Sequence, residues 1–303
     1  MRGVLKLFGW LLLLLIAGGG IFMASNQVPD RSVDELKARW ALPPSQFVKI
    51  AGMQVHLQDE GPPGDPTPLV LLHGTSASLH TWDGWVHALK QNHRVIRYDM
   101  PAFGLTGPHP DSNYTIENYA AMVLAVLDNR HVRRCVLVGN SLGGHVAWVT
   151  AVLHPDRVQR LVLVDASGYP YQSQSVPLGF RIARTPVLNR LMGDLLPPEL
   201  VDRYFDLTTR AGNRQALVER FRQTQPGPLV RRIPELTLPT LILWGGRYRV
   251  IPPYIGDLFH KNILGSQLIR FNTLGHVPQE EDPVRTVMAL KRFLAQPGPA
   301  ERQ

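Results

Sequence analysis

The sequence predicts an α/β fold, a mostly parallel sheet flanked by helices, with a helical lid inserted after the strand that ends near Asp165. Three observations predict it. Short apolar runs bounded by turn residues recur at 69–72, 95–98, 135–138, 161–164, 240–243 and 267–271, the pattern of strands buried on both faces. Helical periodicity at 116–129, 142–154 and 284–295 separates them, and strands alternating with helices build a parallel sheet covered on both sides. Between the strand ending near Asp165 and the strand opening at Thr240 there is no strand-like alternation.

A chain of 303 residues suits one such unit carrying an insertion. With 44% hydrophobic residues it has the material for a core, so disorder is excluded as its main state. The first segment, 1–26, holds an uncharged stretch at 7–24 with leucine at every position of 11–15, preceded by Arg2 and Lys6. At a rise of about 1.5 Å per residue it reaches about 27 Å, close to the ~30 Å of a bilayer's hydrocarbon. A retained membrane anchor is expected, with the N-terminus in the cytoplasm and the folded part outside it, in the periplasm if the source is bacterial. The other reading is a cleaved signal peptide with its apolar centre at 7–16, although no A-x-A-like site is present.

Residues 27–46 read as a stalk with one or two helical turns around Val33 to Trp40, closed by Pro43-Pro44. Alternation at 47–50 and 53–57 around Ala51-Gly52 predicts a β-hairpin, followed by a proline-rich loop at 61–68. The core is expected in two parts, 47–169 and 238–296, with the lid at 170–237 and a frayed tail at 297–303. Helical stretches at 188–195, 198–210 and 213–224 are broken by prolines and Gly212, as in a lid over the sheet's carboxyl edge. Leu178, Phe180, Leu188, Leu191, Met192, Tyr204 and Phe205 suggest an apolar substrate pocket, and equally the packing any lid needs.

The net charge of +8 owes much to arginines of the second half, among them Arg210, Arg214, Arg220, Arg222, Arg231 and Arg232. No nucleic-acid recognition motif accompanies them, so nucleic acid is not an expected partner, and a solvated basic face near anionic lipid headgroups is. Cys135 stands alone, which excludes an intrachain disulfide and a cysteine-based metal centre.

Gly139-Asn140-Ser141-Leu142-Gly143 satisfies G-x-S-x-G, follows an apolar strand and opens a helix. A nucleophilic serine needs that context, because a tight strand-to-helix turn lifts its hydroxyl above the sheet and requires small neighbours. His73-Gly74-Thr75 follows the strand at 69–72, so the main-chain N–H groups of Thr75 and Leu142 are the expected oxyanion donors. His73 itself reads as structural, and His145, one turn into the nucleophile helix, as a packing or surface residue. His276 comes after the last strand, and the chain order serine, acid, histidine makes it the expected base.

Leu72-His73-Gly74-Thr75, Tyr98-Asp99-Met100-Pro101-Ala102-Phe103-Gly104, Gly139 to Gly144, Trp244-Gly245 and Gly275-His276 together resemble the α/β-hydrolase family over roughly 47–294. The doubled glycine and Asn140 resemble the branch that holds carboxylesterases, small lipases and hydrolases of carbon–carbon bonds in aromatic ring-fission products. Serine as nucleophile argues against the dehalogenase and epoxide hydrolase branches, and Thr75-Ser76-Ala77-Ser78 is less glycine-rich than the carbon–carbon hydrolases usually are. The resemblance therefore implies an enzyme without a cofactor that cleaves small, apolar carboxylic esters through an acyl-enzyme on Ser141.

The family's acid usually stands four residues after the tryptophan of Trp-Gly-x-x-Asp, and here that position is Tyr248. A phenol is neutral at pH 7 and cannot stabilise an imidazolium as aspartate does. Three readings follow: Asp165 supplies the carboxylate; Ser141 and His276 work as a dyad helped by Tyr248; or the pocket is a weak or inactive binding module. Carbon–carbon hydrolysis is the further alternative.

Overall fold

The computed structural model describes residues 28–171, 198–223, 227–247 and 251–297. The expected anchor at 7–24, the helix at 188–195, Leu178, Phe180, Leu188, Leu191, Met192 and Tyr248 lie outside these residues.

Eight strands form one sheet in the order β1-β2-β4-β3-β5-β6-β7-β8. Strands β1 (Gln46–Ile50) and β2 (Met53–Glu60) make the expected antiparallel hairpin, with Ile50 opposite Met53, and β2 runs antiparallel to β4 (Val95–Tyr98). Strands β3 (Leu69–Leu72), β5 (Cys135–Asn140), β6 (Val158–Val164), β7 (Thr240–Gly245) and β8 (Gln267–Phe271) continue the sheet in parallel. Strand β3 pairs with β4 on one side and β5 on the other, so the winding reverses there. Such a switch point opens a crevice at the carboxyl ends of its strands, and both His73-Gly74-Thr75 and Ser141 emerge into it.

Both faces of the sheet are covered, which is why the central strands read as unbroken apolar runs. Val70, Leu72, Leu137, Leu161 and Leu163 face one core with Val123, Val126 and Leu127 of α3 (Ile116–Asn129) and Val146, Trp148 and Val149 of α4 (Leu142–Leu153). Their strand neighbours Leu69, Leu71, Val136, Val138, Val162 and Val164 face the other, with Trp85, Val86 and Leu89 of α2 (Asp83–Leu89) and Val287, Leu290 and Phe293 of α9 (Pro283–Leu294). The α3 helix starts where Thr115 accepts the N–H of Asn118, and α9 where Asp282 accepts that of Arg285, one N-cap each.

Between β6 and β7 the described residues are helical: α5 (Pro198–Thr208), α6 (Asn213–Gln223) and a 3-10 helix at Pro228–Glu235. The segment expected as a stalk does not stand free. Its helix α1 (Val33–Trp40) buries Leu36 and Trp40 against Leu105 and Leu207. The buried carboxylate of Asp206 on α5 accepts the Trp40 indole N–H at 2.9 Å, an Arg39 Nη at 3.2 Å and an Arg31 Nη. Two further short helices are α7 (Tyr254–Asn262) and α8 (Pro278–Glu281), the second directly behind His276.

Candidate active site

Ser141 joins β5 to α4 with φ +55° and ψ −113°, a conformation that costs a non-glycine residue about 1–3 kcal/mol. Four hydrogen bonds hold it there. Its N–H donates to the Val164 carbonyl at 3.0 Å, and its own carbonyl accepts from the N–H groups of His145 and Ser167 at 3.1 Å and from the Ser167 hydroxyl at 3.2 Å. The glycines of the motif are required by close approach. A Cβ at Gly139 would sit 2.1 Å from the Gly143 carbonyl oxygen, one at Gly143 2.2 Å from that of Leu72, and one at Gly144 2.5 Å from the Ala166 Cβ.

The loop after β3 lies directly against this turn: a Cβ on Gly74 would fall 2.9 Å from Asn140 Oδ1 and 3.2 Å from the Ser141 Cβ. His73 is fully buried and structural. Its Nε2 accepts the Met100 N–H at 2.9 Å, so Nδ1 carries the proton and donates to the Gly74 carbonyl at 2.7 Å. His145 is likewise a packing residue, stacked on Trp148 with ring centroids 5.1 Å apart, and burial lowers its pKa to about 3.

The His276 loop is tied to the nucleophile turn through the main chain. Asn140 Nδ2 donates to the His276 carbonyl at 2.9 Å and to the Val164 carbonyl at 3.1 Å. Burial lowers the pKa of His276 to about 4, so the imidazole is neutral at pH 7, the state a general base needs. Asp165, at φ +43° just past β6, is fully buried, and both its carboxyl oxygens face the Gly245 N–H, at 3.1 and 3.2 Å. Burial pushes this carboxyl well above the usual range, against the Gly245 bond and with the charge of Glu281 adding to the rise. Asp165 therefore stands at the root of the loop that carries Tyr248, in surroundings that favour its neutral form.

Three acidic residues that received no role from the sequence shape the site. Asp99 accepts the N–H groups of Leu79 and Leu105, both at 2.8 Å, and Nδ1 of His56 at 2.7 Å. Burial raises its pKa, the neighbouring imidazoles of His56, His73 and His80 together outweigh it, and the net result is about 2. Glu280 accepts the Tyr204 hydroxyl at 2.9 Å, the Thr81 hydroxyl at 3.1 Å and an Arg203 Nη, fastening α5 to the helix behind His276. Glu281 holds the His276 loop itself, as set out below. The only sequence signal of Glu280 and Glu281 is their place four and five residues after His276, and the partners of Glu280 are remote in the chain. A small cavity between the loop after β3 and the helices α5 and α6 is lined by Ser76, Ala77, Phe103, Leu207, Thr208 and Leu217. Among the described residues no cluster of His, Cys, Asp and Glu has the make-up of a metal site.

Fold and sequence together define a hydrolase of the α/β class. The chain belongs to the alpha/beta hydrolase fold family, whose model matches residues 67–197. It is 30% identical over 272 residues to a 2-hydroxy-6-oxo-2,4-heptadienoate hydrolase of Pseudomonas putida, covering 82% of this chain and 96% of the relative. Its structure resembles a meta-cleavage product hydrolase of Pseudomonas fluorescens, with a TM-score of 0.71 at 25% identity over 82% of this chain and 97% of the other. It also resembles a bacterial protein described as a membrane phospholipase A, with a TM-score of 0.72 at 26% identity over 97% of this chain and 98% of the other.

Two expectations are corrected. Carboxylic ester cleavage, as the main reading, gives way to the carbon–carbon alternative, because relatives matched over 96% and 92% of their length are a 2-hydroxy-6-oxo-2,4-heptadienoate hydrolase and a 2-hydroxymuconate semialdehyde hydrolase. Membrane attachment, with the folded part outside the cytoplasm, is not upheld either. No helix among the described residues is long and apolar enough to cross a membrane, and 7–24 lies outside them.

Proposed function

We propose that the protein hydrolyses a carbon–carbon bond in a 2-hydroxy-6-oxo-dienoate, with Ser141 as nucleophile and His276 as base. The likeness to the heptadienoate hydrolase along 96% of that enzyme's length carries the reading. The strained serine, the Gly74 loop pressed against it and a neutral histidine tied to Asn140 support it.

In such a substrate the 6-oxo carbon takes the place of an ester carbonyl. Moving the dienol proton to carbon 5 yields a 2,6-dioxo compound. Ser141 Oγ, losing its proton to His276, adds to carbon 6, and the oxyanion is held by the N–H groups of Thr75 and Leu142. Collapse breaks the bond between carbons 5 and 6, and its electron pair delocalises through the 3,4 double bond onto the 2-oxo oxygen, which takes the proton from His276. Water then releases the acetyl group from Ser141 as acetate, leaving 2-hydroxypenta-2,4-dienoate as the other product.

Incubating the full chain with 2-hydroxy-6-oxo-2,4-heptadienoate tests this. Loss of the dienolate absorbance with equimolar acetate is expected, and Ser141→Ala abolishes it. Turnover of phosphatidylcholine with the heptadienoate left intact overturns the proposal.

A further inference from the structure

One carboxylate grips the histidine loop from both sides. Glu281 Oε2 accepts the N–H of Gly275 at 2.6 Å, and its Oε1 accepts the N–H of Val277 at 3.2 Å. These donors flank His276, so the two oxygens hold the Leu274–Gly275 and His276–Val277 peptide units on either side of it. The approach is close enough that a Cβ on Gly275 would fall 2.8 Å from Glu281 Oε1. From the opposite side Asn140 holds the His276 carbonyl. The loop after β7, where the family's acid orients this histidine, carries Tyr248 instead.

We propose that Glu281 is the positioning residue of His276, orienting its imidazole toward Ser141 through the two main-chain N–H groups beside it. The proposal rests on the reading of His276 as the base. Glu281 touches neither substrate nor the reacting atoms, and both its oxygens are committed to the backbone. The charged neighbours of the loop are otherwise engaged. Asp165 at the end of β6 faces the Gly245 N–H, and Glu280 is turned to Arg203 and Tyr204 of α5. Arg285 of α9 pairs with Asp282 and lies over the Phe271 ring, while Arg247 joins the loop through its main-chain N–H on the Leu274 carbonyl at 3.0 Å. A single carboxylate thus supplies from behind the loop the positioning part of what an aspartate ordinarily does at the imidazole Nδ1, and not its charge beside the ring.

The test uses the rate at which a fluorophosphonate labels Ser141 in the full chain, a readout of serine activation that needs no assumption about substrate. Glu281→Ala is expected to slow labelling at pH 7 by about ten-fold or more, since small misplacements of a catalytic group are costly. It also moves the acid limb of the rate upward from about 4 toward 6.5, because a loosened imidazole regains the water whose loss depressed it. Glu281→Gln keeps one strong acceptor and recovers part of the rate. A wild-type rate and acid limb in Glu281→Ala overturn the proposal, as does a lowered melting temperature with the acid limb unmoved. Should Glu281→Ala not fold, Glu281→Gln decides: a rate and limb equal to wild type overturn the proposal. If His276→Ala labels at the wild-type rate, the base assignment fails instead, and the two failures are told apart.

Discussion

Asn140 donates its side-chain amide to the main-chain carbonyl of His276 at 2.9 Å, so the residue preceding the proposed nucleophile sets the position of the loop that carries the proposed base. The same amide holds Val164 at the end of β6, so β5, β6 and the loop after β8 meet at one side chain.

Replacing Asn140 should therefore disturb catalysis without touching substrate. Asn140→Asp, which sets a carboxylate against two carbonyl oxygens, is expected to lower kcat more than Asn140→Ala, by about 100-fold against about 10-fold. Steady-state kinetics on the heptadienoate check both, with melting temperatures as the control for folding.

The depressed pKa of His276 makes a pH prediction. The base works when neutral, which holds above its pKa and fails as pH falls through it. The acid limb of kcat/KM is expected near pH 4, set by the burial that lowers this pKa to about 4, and not near the ordinary 6.5. A pH–rate profile from 3.5 to 8, a range chosen to bracket both values, reads it directly.

The acid is decided by two substitutions. Asp165 is buried, bonded to Gly245 and biased toward its neutral form, so it offers little negative charge to an imidazolium. Asp165→Asn is expected to lower kcat less than about 10-fold, far from the ~10⁴-fold of a triad aspartate, while Tyr248→Asp raises kcat by about 10-fold or more. The kcat of both variants on one substrate tests the pair.

Arg220 on α6 is only 6% exposed, its Nε has no hydrogen-bond partner, and burial lowers the pKa of its guanidinium. Its described contact is with the ring of Phe221, 4.1 Å away. Replacing a buried charge with an apolar residue of similar volume is commonly neutral or stabilising by about 1–4 kcal/mol, so Arg220→Met should raise the melting temperature by a few degrees. Calorimetry measures it.

Asp206 is the opposite case, a buried carboxylate with three donors. Asp206→Ala leaves the buried Trp40 indole N–H without an acceptor, while Arg31 and Arg39 keep Glu35 and Asp202, and it is expected to cost about 1–3 kcal/mol. Thermal unfolding, together with faster proteolysis at 28–41, reports it.

What could be read from the sequence divides by how local its cause is. The tight turn at Ser141 was legible because its G-x-S-x-G spacing falls within five consecutive residues, although Gly143 and Gly144 answer to clashes with the remote Leu72 and Ala166, and α3 because fourteen residues of clean periodicity and a Thr115 cap mark it. Helix α2 was missed because Trp85, Val86 and Leu89 complete less than two turns, too short a record for a 3.6-residue period. The duties of Glu280 and Glu281 were illegible for another reason. They depend on α5 and on the turn of the His276 loop, which only the folded chain brings within reach. Asp165 was placed correctly at a strand end, but the bond that occupies it comes from Gly245 on a neighbouring strand.

The two anchors of α5 have a consequence for how the molecule comes apart. Asp206 binds this helix to residues near the start of the described chain, and Arg203 and Tyr204 bind it to Glu280, beside the base. Local opening spreads through contacts, not along the chain, so fraying at α1 has a direct mechanical route to His276. Hydrogen exchange should then find the amides of α1, α5 and α8 opening together as one cooperative unit assembled from three remote stretches of sequence.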